Sequence, residues 1–433
     1  MSWPGRVRDV VSVVPDVHST DVRSLLERLT NLSVRGLAEM YEPRSRSFPQ
    51  TVRGRRAGMR VVAEGMSVRY TAVAALGLSR TSAPACREVL AGHELVDLLP
   101  GILGLALASR DTGATALSLW AALEVGSEGM PSAVRAQSER ITRALDRLLA
   151  SVRSDAPVAA VDHAWTLTAL VCADRAGELA DVVGGSLGGR DAVAEAAERA
   201  ARRLLDAQGA AGLFPHVLPA EHLNRFRSHV ACFADQVYSV QALTRYAAAT
   251  GDDRALVAAG RCAEHLAAVQ GDEGQWWWHY DWRGGRVVER YPVYSVHQHA
   301  MAPMALLELR EAGGPDHRRA VARGLGWLLE RPESSDDLIA EDLGVVWRKV
   351  GRADPRKMVR TARSVASARR PSARLGWLDH VFPPGSIDRE CRPFELGWLL
   401  YAWHAGAPSR PVDADLPELL GLPEPVEAAG ERS

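Results

Sequence analysis

The residues best equipped for chemistry crowd into one stretch, Gln275 to Met301, QWWWHYDWRGGRVVERYPVYSVHQHAM. These 27 residues hold four of the chain's 12 Trp and three of its 13 His. His297 and His299 carry imidazoles, which titrate near neutrality and suit general acid or base work. They stand two apart, so they diverge on a helix and share a cavity only at a loop-to-helix junction. The alternative is a histidine that fixes the loop through hydrogen bonds. His279, Tyr280 and Asp281 follow a Trp triplet. A His–Tyr pair suits the proton abstraction and delivery of glycan lysis and epimerisation; the alternative is packing of a long loop. Trp277, Trp278 and Trp282 offer flat rings for stacking on sugar faces, with Tyr294 close by in sequence. Trp276 reads as structural.

Comparable groups stand ahead of other apolar runs: Arg69 and Tyr70 in SVRYTAVAALG, Asp235 and Gln236 in ADQVYSVQALTRY, and Glu390, Arg392 and Glu395 in DRECRPFELGW. His297 and Gln298 occupy the positions that Asp235 and Gln236 hold one repeat earlier. Helix starts supply free N–H donors and a positive dipole end, which favour anions. Arg69 and Arg392 suit the clamping of a carboxylate or phosphate, with Arg–Glu pairing to Glu390 or Glu395 as the alternative. Glu341 and Asp342 are adjacent acids in DLIAEDLGVVWRKVGR. Two acids recruited from separate places suit glycoside hydrolysis. Asp342 with Asp235 and Glu390 with Asp281 are pairs to measure, against the alternative of solvated helix-cap acids.

The elements that must position these groups are helical. Segments such as DAVAEAAERAARRLLDAQ place apolar residues at helical spacing between Arg and Glu. A repeat is also present. Asp191–Phe214 superposes on Asp253–Trp276 at a shift of 62 residues, which sets Gln208 on Gln270, Gly212 on Gly274 and Phe214 on Trp276. Ala234–Gly251 falls on Val296–Gly313 at the same shift. A weaker third copy begins at Pro315. A unit of helix, loop and helix fits stacked α-hairpins, and about six fit in the chain. Closure into a ring is preferred over an open solenoid. Inner candidates such as MAPMALLEL carry few charges, outer ones such as RALVAAGRCAEHLAAV are amphipathic, and the apolar final helix LGWLLYAW does not resemble a polar cap. The fold expected is therefore all-α, an α/α toroid. Residues 1–55 would be an N-terminal helix and exposed loop, 56–410 the toroid, and 411–433 a tail.

Gln270-x-x-x-Gly274-x-Trp276 and Gln208-x-x-x-Gly212-x-Phe214 resemble the QW repeat of the terpenoid cyclase and protein prenyltransferase superfamily of α/α toroids. The resemblance implies that these positions tie the end of one outer helix to its neighbour. The superfamily's catalytic motifs are missing. There is no Asp-x-Asp-Asp, and Asp252-Asp253 reads as turn and N-cap chemistry. Asp388 and Cys391 lack the spacing of the prenyltransferase zinc set.

Bulk composition excludes other classes. Apolar residues make up 47% and charged residues 24% of 433, with a net charge of −1. That balance supports a large core and gives no general attraction to nucleic acid. Lys349 and Lys357 are the only lysines. The five cysteines show no CxxC spacing, so neither a zinc site nor a disulfide framework is expected. No P-loop, dinucleotide fingerprint, Gly-x-Ser-x-Gly or His-Glu-x-x-His occurs, so no cofactor or metal is expected. No signal-peptide core or membrane-length apolar run is present, which predicts a soluble cytoplasmic protein without membrane insertion. Homo-oligomerisation is left open. DVVGGSLGGRD reads as a connector, and the basic stretch Arg352–Trp377 as a loop over the cavity or a solvated face. The functional expectation is a carbohydrate-active enzyme of lyase, epimerase or glycoside hydrolase type, taking a small-molecule or oligosaccharide substrate in a central cavity. A terpenoid-cyclase-like enzyme and a non-catalytic helical-repeat binding protein are the alternatives.

Overall fold

The structure is a computed structural model, and it describes residues 5–13, 16–55, 60–127, 131–175, 189–354, 358–370 and 375–404. The larger helices, in chain order, are α1 (Asp16–Met40), α2 (Val68–Leu78), α3 (Leu99–Ala108), α4 (Thr112–Ser127), α5 (Ser138–Arg153), α6 (Ala160–Asp174), α7 (Gly189–Ala207), α8 (Phe233–Thr250), α9 (Asp253–Ala268), α10 (Ala302–Glu311), α11 (Arg318–Glu330), α12 (Met358–Arg369) and α13 (Pro393–Trp403). Helix α5 shows why the outer ones form. It buries Ile141, Ala144, Leu145, Leu148, Leu149 and Val152 on one face, the three- and four-residue spacing of an amphipathic helix. The inner helices are buried almost all round: α8 hides 13 residues, Asp235 and Gln236 among them.

Helix α2 packs on α4, α4 on α6, α6 on α8, α8 on α10, α10 on α13, and α13 back on α2. That closed circuit makes an α/α toroid, with α1, α3, α5, α7, α9 and α11 outside it. The closing contact depends on two glycines. A Cβ on Gly77 of α2 would lie 2.3 Å from the Gly397 carbonyl oxygen of α13, and one on Gly397 would lie 2.7 Å from the Val73 oxygen. Helix α1 packs against α11 and α13 and so belongs to the outer ring. Contacts therefore cross the domain boundary expected at residue 55. The loop after α1 is not fully exposed either: Phe48 is buried, and its N–H donates to Thr71 Oγ1 at 3.0 Å. Residues 411–433 and most of the glycine-rich connector lie outside the described residues.

The repeat seen in the sequence is a set of latches. Gln208 Nε2 donates to the carbonyls of Gly212 and Ala258, both at 2.8 Å. Gln270 Nε2 donates to Gly274 O at 2.8 Å and Ala320 O at 2.9 Å. Each outer helix end is thus tied to the next outer helix. Gly274 turns at φ +91°, and a Cβ there would strike Arg323 O, so glycine is required. The inner helices contribute the other half of each latch. Gln236 accepts from Phe214 N at 2.8 Å and donates to Phe214 O at 2.9 Å, and Gln298 accepts from Trp276 N at 3.2 Å.

Before α10 the chain makes a π-helical turn, His297–Met301. Pro303 has no N–H to give to the His299 carbonyl four residues back. Trp403 Nε1 on α13 fills that place at 2.6 Å. Short antiparallel sheets edge the N-terminal ends of the inner helices. One pairs β1 (Thr51–Arg55) with β2 (Arg60–Glu64), and another joins β3 (Val230–Cys232), β4 (His279–Asp281) and β5 (Val287–Glu289), with Cys232 opposite His279. At the opposite end of the ring a buried network closes the lumen. Arg245 Nε meets Glu308 Oε2 at 2.7 Å, and Tyr401 OH donates to Glu124 at 2.9 Å. No helix among the described residues is long and apolar enough to cross a membrane.

Candidate active site

Above that network the lumen is filled by aromatic rings. Trp120 packs on Trp398 at 5.5 Å, Trp398 on Tyr238 at 6.0 Å, and Tyr238 on Trp165 at 5.0 Å. The N-terminal ends of the inner helices form an open mouth over this floor. Arg69 lies 5.4 Å from the Trp165 ring and faces two acids. Its Nε donates to Asp111 Oδ2 at 2.8 Å; its Nη1 and Nη2 donate to Asp162 Oδ1 at 2.8 Å and Oδ2 at 3.1 Å. Asp111 Oδ1 also accepts from Ala114 N at 3.0 Å and so caps α4. Burial pushes the Asp111 carboxyl up, but Arg69 and the helix-start N–H groups outweigh it and hold it below the usual range. Side-chain exposures of 37% for Asp111 and 21% for Asp162 leave both reachable from solvent.

Next to this group stands His216. Its carbonyl accepts from Ala160 N at 3.0 Å, two residues before Asp162. Its Nδ1 lies 3.0 Å from Asp235 Oδ2. Asp235 is fully buried in the first turn of α8 and also accepts from Cys232 N at 2.7 Å. The Asp235 hydrogen bond and charge raise the His216 imidazole above its usual value, against burial. The other ring nitrogen is free of that bond. His216, Cys232 and Asp235 bring donor atoms within 4.8 Å of one another. They are the set among the described residues that could take a metal ion. Burial, and then Asp235, push the Cys232 thiol well up.

On the other side of the mouth Arg348 bridges Glu395 at 3.2 Å and Glu390 at 3.3 Å. Glu390 also meets Arg53 at 2.5 Å and Arg392 at 3.5 Å. Burial raises the Glu395 carboxyl to about 7, with Arg348 opposing. Arg392 Nη1 donates to Tyr70 OH at 2.8 Å. Tyr294 lies 5.9 Å from Trp278 and 5.2 Å from the Arg348 guanidinium.

Of the residues chosen from sequence, Arg69, Tyr70, Asp235, Trp278, Tyr294, Glu390 and Arg392 gather around the mouth. Others lie elsewhere in the fold. Gln236 and Gln298 are spent on the backbone latches. Tyr280 is fully buried and donates to Trp277 O at 3.0 Å. His299 is sealed between inner helices, and burial holds its imidazole at about 3. His297 is wedged against Phe233 at 4.5 Å and Tyr294 at 4.9 Å, and burial likewise holds it at about 3. Asp281 accepts from Arg283 N at 3.1 Å and shapes a turn. Trp277 packs on Tyr291 at 6.0 Å, and Trp282 donates to Ser228 O at 2.7 Å while lining a 970 Å³ groove with outer-helix residues. Glu341 pairs with Arg28 of α1 at 2.6 Å; with Asp342 it lines an 810 Å³ surface cavity, so the pairing of Asp342 with Asp235 does not form. His279 stands beside the mouth, stacked on Trp278 at 4.0 Å.

Asp111, Asp162 and His216 were missed. A signal existed for the acids. DTGATALSLW and DHAWTLTALV begin with Asp and carry Thr four residues on. Both threonines bond back to the aspartate carbonyl, Thr115 at 3.1 Å and Thr166 at 2.8 Å. His216 gave no such signal, since a loop brings it to the site.

No family model matches the chain, and no curated protein sequence does. Solved structures match over most of their length. An unsaturated glucuronyl hydrolase specific for heparin superposes with a TM-score of 0.56 at 13% identity, covering 88% of this chain and 96% of its own. An unsaturated glucuronyl hydrolase from Bacillus sp. GL1 gives 0.53 at 12%, covering 89% and 100%. A possible member of the GH105 family from Klebsiella pneumoniae gives 0.53 at 10%, covering 90% and 93%. The chain shares their toroid. At this identity the likeness concerns the fold. Aromatic rings fill the lumen, with buried charge at its closed end and further charge at the mouth.

Proposed function

We propose that the protein is a carbohydrate-active enzyme that hydrolyses an oligosaccharide in the mouth of the toroid. The observation that carries this is the convergence of two arginine-held carboxylates, Asp111 and Asp162, with a raised, half-exposed imidazole, His216. His216 donates its proton to the leaving oxygen as the bond from the anomeric carbon breaks. One of the two carboxylates takes a proton from the water whose oxygen attacks that carbon, so the products are two hydroxyl-bearing sugars. Asp235 is a positioning residue that holds His216 in its protonated orientation. The aromatic floor and Trp278 offer surfaces for sugar rings. The fold shared with glucuronyl hydrolases supports the reading. A cytoplasmic location and the absence of a nucleic-acid partner belong to the same proposal.

The test is turnover of a glycan panel, read by mass, for the wild type and for Asp111→Asn, Asp162→Asn and His216→Ala. Cleavage by the wild type and loss of at least about a hundredfold in Asp162→Asn or Asp111→Asn is expected. Cleavage that survives all three substitutions would sink the assignment.

A further inference from the structure

Two arginines stand beside the mouth. Arg227 lies on the loop ahead of β3 and Arg360 on α12. Neither forms an ion pair among the described residues, and Arg360 Nε is buried without a hydrogen-bond partner. Burial and then Arg227 hold the Arg360 guanidinium below the usual arginine range. The acids nearest in charge to Arg360 are committed elsewhere. Glu289 meets Arg363 at 3.3 Å and Arg352 at 3.5 Å, and Asp354 accepts from Val359 N at 3.0 Å. The buried His279 imidazole feels the same surplus: burial, then Arg360, Arg227 and His216, push it well down, and its Nδ1 has no partner.

This crowding is built by the fold. Ser364 Oγ on α12 donates to Phe226 O at 2.6 Å, and Ser367 Oγ meets His229 Nε2 at 2.8 Å. All three side chains, Ser364, Ser367 and His229, are buried. These bonds clamp α12 on the 226–229 loop and keep two like charges near each other. The Arg360 guanidinium rests 4.8 Å from the Trp278 ring, a support that leaves its N–H fork for a planar anion.

We propose that Arg227 and Arg360 form an anion subsite that takes the carboxylate or sulfate of an acidic sugar next to His216. The proposal rests on reading the mouth as a glycan site. It makes α12, the described helix within the basic stretch, a wall of the site.

The test is calorimetric titration of the full chain with glucuronate, N-acetylglucosamine 6-sulfate and glucose. At least one acidic sugar is expected to bind about tenfold tighter than glucose. Preference for glucuronate assigns a carboxylate, and preference for the sulfated sugar assigns a sulfate. Arg227→Gln and Arg360→Gln should each abolish the preference, and Arg360→Lys should keep part of it. Equal binding of all three sugars, or an unchanged preference in both Gln variants, overturns the subsite. Binding preference without turnover of any glycan would overturn the enzymatic reading and leave the subsite standing. Turnover of glycans without any anion preference would do the reverse.

Discussion

His216 Nδ1 lies 3.0 Å from Asp235 Oδ2, across 19 residues that form a loop and β3. A solvent-reachable imidazole is thereby backed by a fully buried carboxylate. The raised His216 value means that the pair stabilises the fold fully below the unfolded histidine value, about 6.5, and loses that contribution as pH rises through the folded value. Activity that uses the imidazolium should fall on the same alkaline side. In Asp235→Asn the alkaline limb of the rate–pH profile is expected to move to lower pH. A limb unmoved in that variant would remove His216 as the proton donor.

Arg69 holds Asp111 with the opposite sign. The Asp111 carboxyl is depressed, so its contribution to stability is present above the unfolded value, about 3.9, and is lost as pH falls through the folded value. Arg69→Gln is expected to bring the acid unfolding midpoint to higher pH and to reduce turnover. Acid titrations that coincide for the two proteins would contradict the role given to Arg69.

The latch made by Gln270 satisfies two carbonyls of different segments. Gln270→Ala should lower stability by about 1–3 kcal/mol, because both carbonyls lose their donor. Turnover at 25 °C should be unchanged, since the latch lies on the outer ring. Denaturant midpoints measured beside glycan cleavage check both halves of the expectation.

Ring closure depends on backbone approach at Gly77 and Gly397. Gly397→Val is expected to destabilise by about 3 kcal/mol or more, since the blocking atoms are backbone and cannot turn aside. A variant with wild-type helicity and an unchanged melting midpoint would show that the contact relaxes freely.

Tyr280→Phe is a negative control. Its hydroxyl is used on Trp277 O beneath the sheet. The variant should retain turnover within about twofold, at a stability cost of about 1 kcal/mol. A hundredfold loss would restore Tyr280 to the chemistry.

The sequence by itself determined the parts whose physics is local. Helical spacing in segments such as Asp253–Ala268 specifies amphipathic outer helices. The Gln–Gly–aromatic repeat specifies the latches, because Gln270, Gly274 and Trp276 act within one turn and its neighbour. Tertiary structure decided which polar groups meet. Arg69, Asp111 and Asp162 stand at the starts of three successive inner helices, α2, α4 and α6, and converge only when those helices pack side by side. Gln236 and Gln298 have the same polarity as a substrate ligand, and only packing shows that backbone groups consume them. His216 and Arg227 come from loops, where no periodicity announces direction, and Arg360 reaches the mouth because Ser364 and Ser367 anchor its helix. Chemistry at the mouth is a sum of contacts distant along the chain, whereas spacing in the chain encodes only the elements that carry them.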